Sequence, residues 1–323
     1  MPADTPLPPT LIDLKPDLGS IRDAVLGGLS ADPRWLPAWL FYDGEGSRLF
    51  EAICEQPEYY PTRTELAILR AHGADIAATL GEGCTLVELG SGSHRKASVM
   101  LRLLRRPDGY IAIDVSAQQL RQAITALARE FPRLPMTGIC ADFGEDAELP
   151  LEPNAGDGPM VGFFPGSTVG NMAPAEARDF LAAWARRLRG GGMLIGVDLV
   201  KDPAILDAAY NDAAGVTAAF NRNMLAHIGR RLASTLDPTG FSHRAFFNAD
   251  ASRVEMHLVA DQAMTARVEG LPFAFAAGAS IHTESSYKYT VAGFQALAAS
   301  AGFVPQRVWT DPRGWFSVHY LAA

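Results

Sequence analysis

Thr85-Leu86-Val87-Glu88-Leu89-Gly90-Ser91-Gly92-Ser93-His94-Arg95-Lys96 is an apolar strand that carries an acid near its end, turns through two glycines and opens a helix. Such a turn belongs at the carboxyl edge of a parallel sheet, where nucleotide-like cofactors are held. Gly90 and Gly92 lack a Cβ, so the backbone can turn sharply and approach a ligand closely, and the following helix offers unpaired N–H groups to an anionic part of it. A dinucleotide site wants Gly-x-Gly-x-x-Gly, and here the third position is Arg95. That argues against NAD or FAD. Glu88, just before the turn, suits S-adenosylmethionine instead, because this cofactor has no phosphate and carries an ammonium group and a sulfonium.

Outward from this stretch, apolar runs alternate with amphipathic helices, the pattern of a parallel sheet covered on both faces. Strands are predicted at 86–89, 110–114, 136–141 and 161–164, with helical segments such as 97–104 and 117–131 between them. Gly190-Gly191-Gly192 ends a helix over 175–188, and a fifth strand runs 193–200. The sheet is then interrupted: 202–234 reads as helix, 245–260 as an alternating strand through Phe246, Val254, Met256 and Leu258, and 263–281 as further strands. This is too long for a connecting loop and reads as an inserted lobe. After Lys288 a helix over 291–301 stops at Gly302, and β-rich runs at 303–310 and 315–321 are joined by the hairpin signal Asp311-Pro312-Arg313-Gly314. An antiparallel end on a mostly parallel sheet is the usual close of a class I methyltransferase.

The fold class expected is therefore α/β: a class I, Rossmann-like, S-adenosylmethionine-dependent methyltransferase core with a second α+β substrate-binding domain formed by the N-terminus and an insertion. Residues 64–199 and 287–323 are assigned to the core, and 1–63 and 200–286 to the second domain. The one biased segment, 149–159, is an acidic Pro/Gly turn.

At 323 residues, 48% of them hydrophobic, the chain can bury a large core. Its formal charge of −8 disfavours nucleic acid and anionic membrane as partners, since both need a basic surface. Cys54, Cys84 and Cys140 are scattered and odd in number, which indicates neither a disulfide framework nor a zinc site but reduced cytoplasmic thiols. No basic start followed by an apolar segment opens the chain, and no stretch of ~18 apolar residues follows, so secretion and membrane spanning are disfavoured. A cytoplasmic monomer is the expectation. No metal is expected either, because His72, His94, His227, His243, His257, His282 and His319 show no ligand spacing.

The expected cofactor residues follow from strand ends. Asp114 closes the second strand within reach of a ribose, where a carboxylate accepts from both hydroxyls. Asp142 follows the third strand, where it would accept from an adenine amino group while Phe143 covers the ring. Each aspartate also has an ordinary alternative, Asp142 capping a turn and Phe143 sitting in the core. Lys96 would neutralise the cofactor carboxylate at the helix start, or be a solvated helix lysine.

Longer motifs carry a more specific resemblance. They are Phe41-Tyr-Asp-Gly-Glu-Gly-Ser-Arg-Leu-Phe50, Pro57-Glu-Tyr-Tyr-Pro-Thr-Arg63, Val87-Glu-Leu-Gly-Ser-Gly92, Phe164-Pro-Gly-Ser-Thr-Val-Gly-Asn171, Asp198-Leu-Val-Lys-Asp202 with Tyr210-Asn-Asp212, and Ile281-His-Thr-Glu-Ser-Ser-Tyr-Lys288. Over nearly its whole length the chain resembles the ergothioneine-pathway histidine Nα-methyltransferases, which convert L-histidine to its trimethylammonium betaine, hercynine. The resemblance implies that Asn171 and Tyr210 bind the substrate carboxylate. Both are neutral donors, able to fix it without a cation that would repel the sulfonium. It implies that Glu284 and Ser286 receive the imidazole, with Tyr59 a third contact, and that Met256 lines the same pocket. Tyr42 matches a tyrosine near the substrate amino group, where it or a water beside it relays the proton, and it is the catalytic candidate. L-histidine and its mono- and dimethylated forms are the implied partners. The alternative is an Nα-methyltransferase of another amino acid such as a tryptophan derivative, against which Glu284 speaks, because an indole has one donor and no basic nitrogen.

Overall fold

The computed structural model of the chain describes residues 7–16, 19–92, 94–144, 149–151 and 158–323, so the acidic turn at 149–159 lies largely outside the described residues. Two compact units emerge. One gathers the N-terminal strand, Arg63–Leu199 and Tyr289–Ala323; the other holds the chain from the first helix to Thr62 together with Val200–Lys288.

Among the described residues, the first unit contains an eight-stranded sheet built from β1 (Thr10–Asp13), β2 (Thr85–Leu89), β3 (Gly109–Asp114), β4 (Met136–Cys140), β5 (Met160–Phe164), β6 (Gly192–Asp198), β12 (Val304–Thr310) and β13 (Phe316–Ala322). Its order is β1-β4-β3-β2-β5-β6-β13-β12. All neighbours run parallel except β13, which is antiparallel to both β6 and β12. The expected class I methyltransferase architecture is the one observed. Its central strands read as unbroken apolar runs because both faces are covered. Leu86, Tyr110 and Leu194 pack with residues of α4 (Gly73–Leu80), α5 (His94–Leu103) and α6 (Ala117–Glu130) on one side. Val87, Ile111 and Ile195 pack with residues of α7 (Pro174–Arg187) and α10 (Val291–Ser300) on the other. Fully buried side chains such as Phe163, Phe164 and Trp184 each stabilise the fold by about 1.5–3 kcal/mol. The strand order reverses at β2, with β3 on one flank and β5 on the other, so the Gly90–Gly92 turn sits at the switch point where ligands bind in such sheets.

The assignment of all of 1–63 to the second domain is corrected at its start. Thr10–Asp13 adds a parallel strand to the free edge of β4, where unpaired N–H and C=O groups are the strongest available attachment for a short segment.

The second unit comprises α1 (Ile21–Ser30), α2 (Gly44–Cys54), α8 (Pro203–Tyr210), α9 (Val216–Arg231) and strands β7 (Phe241–Asn248), β8 (Arg253–Ala260), β9 (Met264–Val268), β10 (Leu271–Phe275) and β11 (Ser280–Tyr287); α3 (Tyr60–Ala71) begins at its boundary. The helix expected over 202–234 is two helices. Asp212 caps the second by accepting from Val216 and Thr217 N–H at 2.7 Å each, and Gly215 takes φ +72° in the break. The single strand expected over 245–260 is likewise the hairpin β7–β8, since the Asn248-Ala-Asp250 cluster makes a turn: Asn248 Oδ1 accepts from Ala251 N–H at 3.1 Å. Strands β11, β8 and β7 form an antiparallel sheet in that order.

Candidate active site

The cofactor candidates of the first unit gather at the carboxyl edge of its sheet. Gly90 stands at φ +74°, and a Cβ there would meet nothing nearer than the Phe143 ring at 3.7 Å, so backbone angle rather than crowding requires the glycine. Gly92 has neither requirement: its nearest neighbour would be Gln119 Oε1 at 3.7 Å. The chain's own packing gives no reason for that glycine, whereas a ligand lying against the backbone would. Beside the turn are two buried acids. Burial pushes the Glu88 carboxyl up to about 8, against the opposing effect of the Tyr110 hydroxyl that donates to it. Burial also pushes Asp114 up to about 6, against the N–H groups of Ser116 and Val115. Carboxyls held this far above their ordinary values at a sheet edge are suited to a ligand that brings hydroxyls or a cation to them.

Four placements refine these expectations. Asp142 Oδ1 accepts from Gly144 N–H at 2.8 Å, the turn-capping arrangement, while leaving the carboxylate partly exposed. Phe143 is half-buried, edge-on to Phe164 and Phe180, with its carbonyl accepting from Trp184 Nε1. Lys96 is not a solvated helix lysine: its ammonium lies 2.6 Å from Glu65, a buried acid that also accepts from Gly166 N–H at 2.9 Å. An ammonium has three donors, so the pair with Glu65 leaves Lys96 a candidate for the cofactor carboxylate at the start of α5. Asn171 ends the 3₁₀ turn Thr168–Asn171 and is exposed. It is not the cap of α7, a position held by Ala173, whose N–H is taken by Glu176 at 2.8 Å.

The substrate candidates of the second unit converge on one face of the β11–β8 pair. The register sets Glu284 opposite Met256 and Ser286 opposite Val254, and paired residues share a face. Tyr210, at the end of α8, is buried with its hydroxyl 2.9 Å from Ser286 Oγ. Lys288 completes the group. Its buried ammonium donates to Ser286 Oγ at 2.8 Å and to the Tyr210 hydroxyl at 3.1 Å. The expectation that the donors work without a cation is therefore corrected: a lysine is bonded to one of them. With Lys288 already donating to Oγ, the serine's own hydrogen is available to an acceptor. Glu284 is half-buried, and burial pushes its carboxyl up to about 7 against the pull of Lys288.

Aromatic rings line the same unit. Tyr59 meets Tyr210 edge-on at 6.4 Å and Phe50 at 6.3 Å; Tyr42, 41% exposed, meets Phe50 and Phe220 edge-on at 6.0 Å each. Burial, then the nearby Tyr210, Cys54, Glu284 and Tyr42, holds the Tyr59 hydroxyl well above its ordinary value, so it stays a donor. Phe50, Phe220 and Lys288 were not singled out from sequence. Lys288 was legible there, because it continues the alternation Glu284, Ser286, Lys288 onto one strand face.

Comparison with known proteins decides the family. The family model described as histidine-specific methyltransferase, SAM-dependent, matches residues 21–323. The chain belongs to this family. A histidine N-alpha-methyltransferase of Mycolicibacterium smegmatis is 44% identical over 93% of this chain and 94% of its own length. Ergothioneine biosynthesis protein 1 of Neurospora crassa is 30% identical over 67% of this chain and 26% of its own. A 4-dimethylallyltryptophan N-methyltransferase of Epichloe festucae var. lolii is 32% identical over 59% of this chain and 59% of its own. Among the described residues no helix is long and apolar enough to cross a membrane, and all the cysteines are free.

Proposed function

We propose that the protein transfers three methyl groups in succession from S-adenosylmethionine to the α-nitrogen of L-histidine, giving hercynine, a step of ergothioneine biosynthesis. The observation that carries the choice of histidine is the polarity of the Glu284–Ser286–Lys288 face. Glu284 accepts from one imidazole N–H, and Ser286, fixed by Lys288, donates to the other nitrogen. Only a neutral imidazole satisfies both. An indole offers no acceptor to Ser286, and a phenyl ring would leave both groups unpaired at a cost of roughly 1–3 kcal/mol each. The mycobacterial relative is named for the same substrate; the tryptophan enzyme is the weaker match in coverage.

S-adenosylmethionine supplies the methyl group as an electrophile on sulfur. Gly90 and Gly92 let the backbone approach it, Asp114 takes the ribose hydroxyls, and Asp142 and Phe143 take the adenine. Asn171 and Tyr210 hold the amino-acid carboxylate, Tyr59 the imidazole, and Met256 fills the wall. The nucleophile is the unprotonated amine, whose proton leaves by way of Tyr42 or a water beside it. The rings of Tyr42, Phe50, Tyr59 and Phe220 are suited to a nitrogen that becomes more methylated and finally cationic. No strong base is required, since most of the rate comes from holding nitrogen, carbon and sulfur in line. The protein acts as a cytoplasmic monomer in this reading.

Lys288 serves as a positioning residue. Lys288→Met should lower kcat/KM for histidine roughly 10–100-fold, the loss of charge-assisted bonds, while cofactor affinity stays unchanged. Because Lys288 lowers the Glu284 pKa, the variant should also move the pH at which Glu284 ionises upward. A pH profile of histidine binding that does not shift would remove this role.

A further inference from the structure

The reverse face of the β7–β8–β11 sheet carries a cluster that methyl transfer does not use. The register places His257 opposite His282 and Glu255 opposite Ser285, behind the Met256–Glu284 face. A register shift between His282 and Glu284 makes this possible: the extra residue, Thr283, turns two side chains that would otherwise share a face to opposite sides.

There Glu255, His257 and His282 each present a ligating atom, all within 4.8 Å of one another. His257 Nε2 lies 3.0 Å from Glu255 Oε2, and its Nδ1 is buried without a hydrogen-bond partner. The ring is stacked on Phe246 at 11° and 5.6 Å, which fixes its plane. The other oxygen of Glu255 is held by Arg253 Nε at 2.9 Å and Asn248 Nδ2 at 3.0 Å, so the carboxylate is oriented from behind and Oε2 faces the histidines. Outer partners of this kind orient metal-bound carboxylates. His282 is fixed through its backbone, which donates to Arg34 O at 3.0 Å and accepts from Leu36 N–H at 2.9 Å.

We propose that Glu255, His257 and His282 bind a divalent transition-metal ion of the zinc class, at a site distinct from the amino-acid face. Two imidazoles and one carboxylate, with a fourth position left to water, form a donor set that zinc takes and that calcium or magnesium, which prefer oxygen ligands, do not. Zinc–ligand distances of about 2.0–2.2 Å place ligand atoms about 3.3 Å apart, so the cluster has only a short way to close. Arg253 on the carboxylate and Arg244, paired across from His257 on β7, keep the affinity moderate. The histidines are far apart in sequence and meet only through strand pairing, which is why their spacing signals nothing.

The test uses the whole untagged protein after chelator treatment, without histidine, which would itself bind metal. Zinc(II) titrated by calorimetry should bind at one ion per chain, and cobalt(II) should give the visible absorption of a tetrahedral nitrogen–oxygen site. His257→Ala and His282→Ala should each weaken zinc binding roughly 10–100-fold or more and remove the cobalt spectrum. An unchanged circular dichroism spectrum and retained histidine binding, measured separately without metal, show that the second unit folds in both variants. No binding by the parent protein, or equal binding by both variants, would overturn the proposal.

Discussion

Glu284→Ala should lower kcat/KM for histidine by roughly 100-fold or more and leave S-adenosylmethionine affinity within about twofold of the parent, because it removes a charge-assisted hydrogen bond and strands the partner N–H of the substrate. The carboxyl sits on β11 beside Ser286 and Lys288, in the second unit, while the cofactor candidates sit in the first. Calorimetry with each ligand separates the two effects; equal losses for both would take Glu284 out of the amino-acid face. A second measurement uses its pKa of about 7, raised from 4.5 by burial. The folded protein holds this proton more tightly than the unfolded chain, so the carboxyl contributes stability in full below about pH 4.5 and loses it as pH rises through about 7. Glu284→Gln should therefore show a flatter dependence of Tm on pH between those limits than the parent. An unchanged slope would mean that Glu284 is ordinarily solvated.

Asp114→Asn should weaken S-adenosylmethionine binding by roughly 100-fold, with histidine binding little altered. The side chain is buried at the end of β3, and its Oδ1 accepts from Ser116 N–H at 2.8 Å. An asparagine keeps that turn bond through its carbonyl but offers an NH₂ where the ribose hydroxyls need an acceptor, and two charge-assisted bonds at ~1.5–3 kcal/mol each are at stake. Since burial raises Asp114 to about 6 and hydroxyls bind the ionised form, parent affinity should fall as pH drops below about 6 and the variant should lose that dependence. Full affinity in Asp114→Asn would mean that the ribose is held elsewhere.

The sheet was legible because its signals are local. Apolar runs such as Leu86–Leu89 and the glycine turn after them need no knowledge of what lies beside them. The N-terminal strand was not, since Thr10–Asp13 is short, largely exposed and without alternation, and pairs only because β4 leaves an edge open. The hairpin inside 245–260 was hidden because both of its arms alternate in the same phase and the turn has no glycine. Site residues were legible where a motif carried them, and their partners were not. The Lys96–Glu65 pair joins residues 31 positions apart in sequence, and Phe220 reaches Tyr42 from another element. The His257–His282 neighbourhood depends on a bulge that no periodicity announces.

Mass spectrometry reads both the substrate and the number of methyl groups it receives. Purified protein incubated with S-adenosylmethionine and each of the twenty amino acids in turn should convert histidine, and no aromatic amino acid at a comparable rate, to products one, two and finally three methyl groups heavier, with the last accumulating. Absence of trimethylated histidine, or faster methylation of tryptophan, would contradict the account.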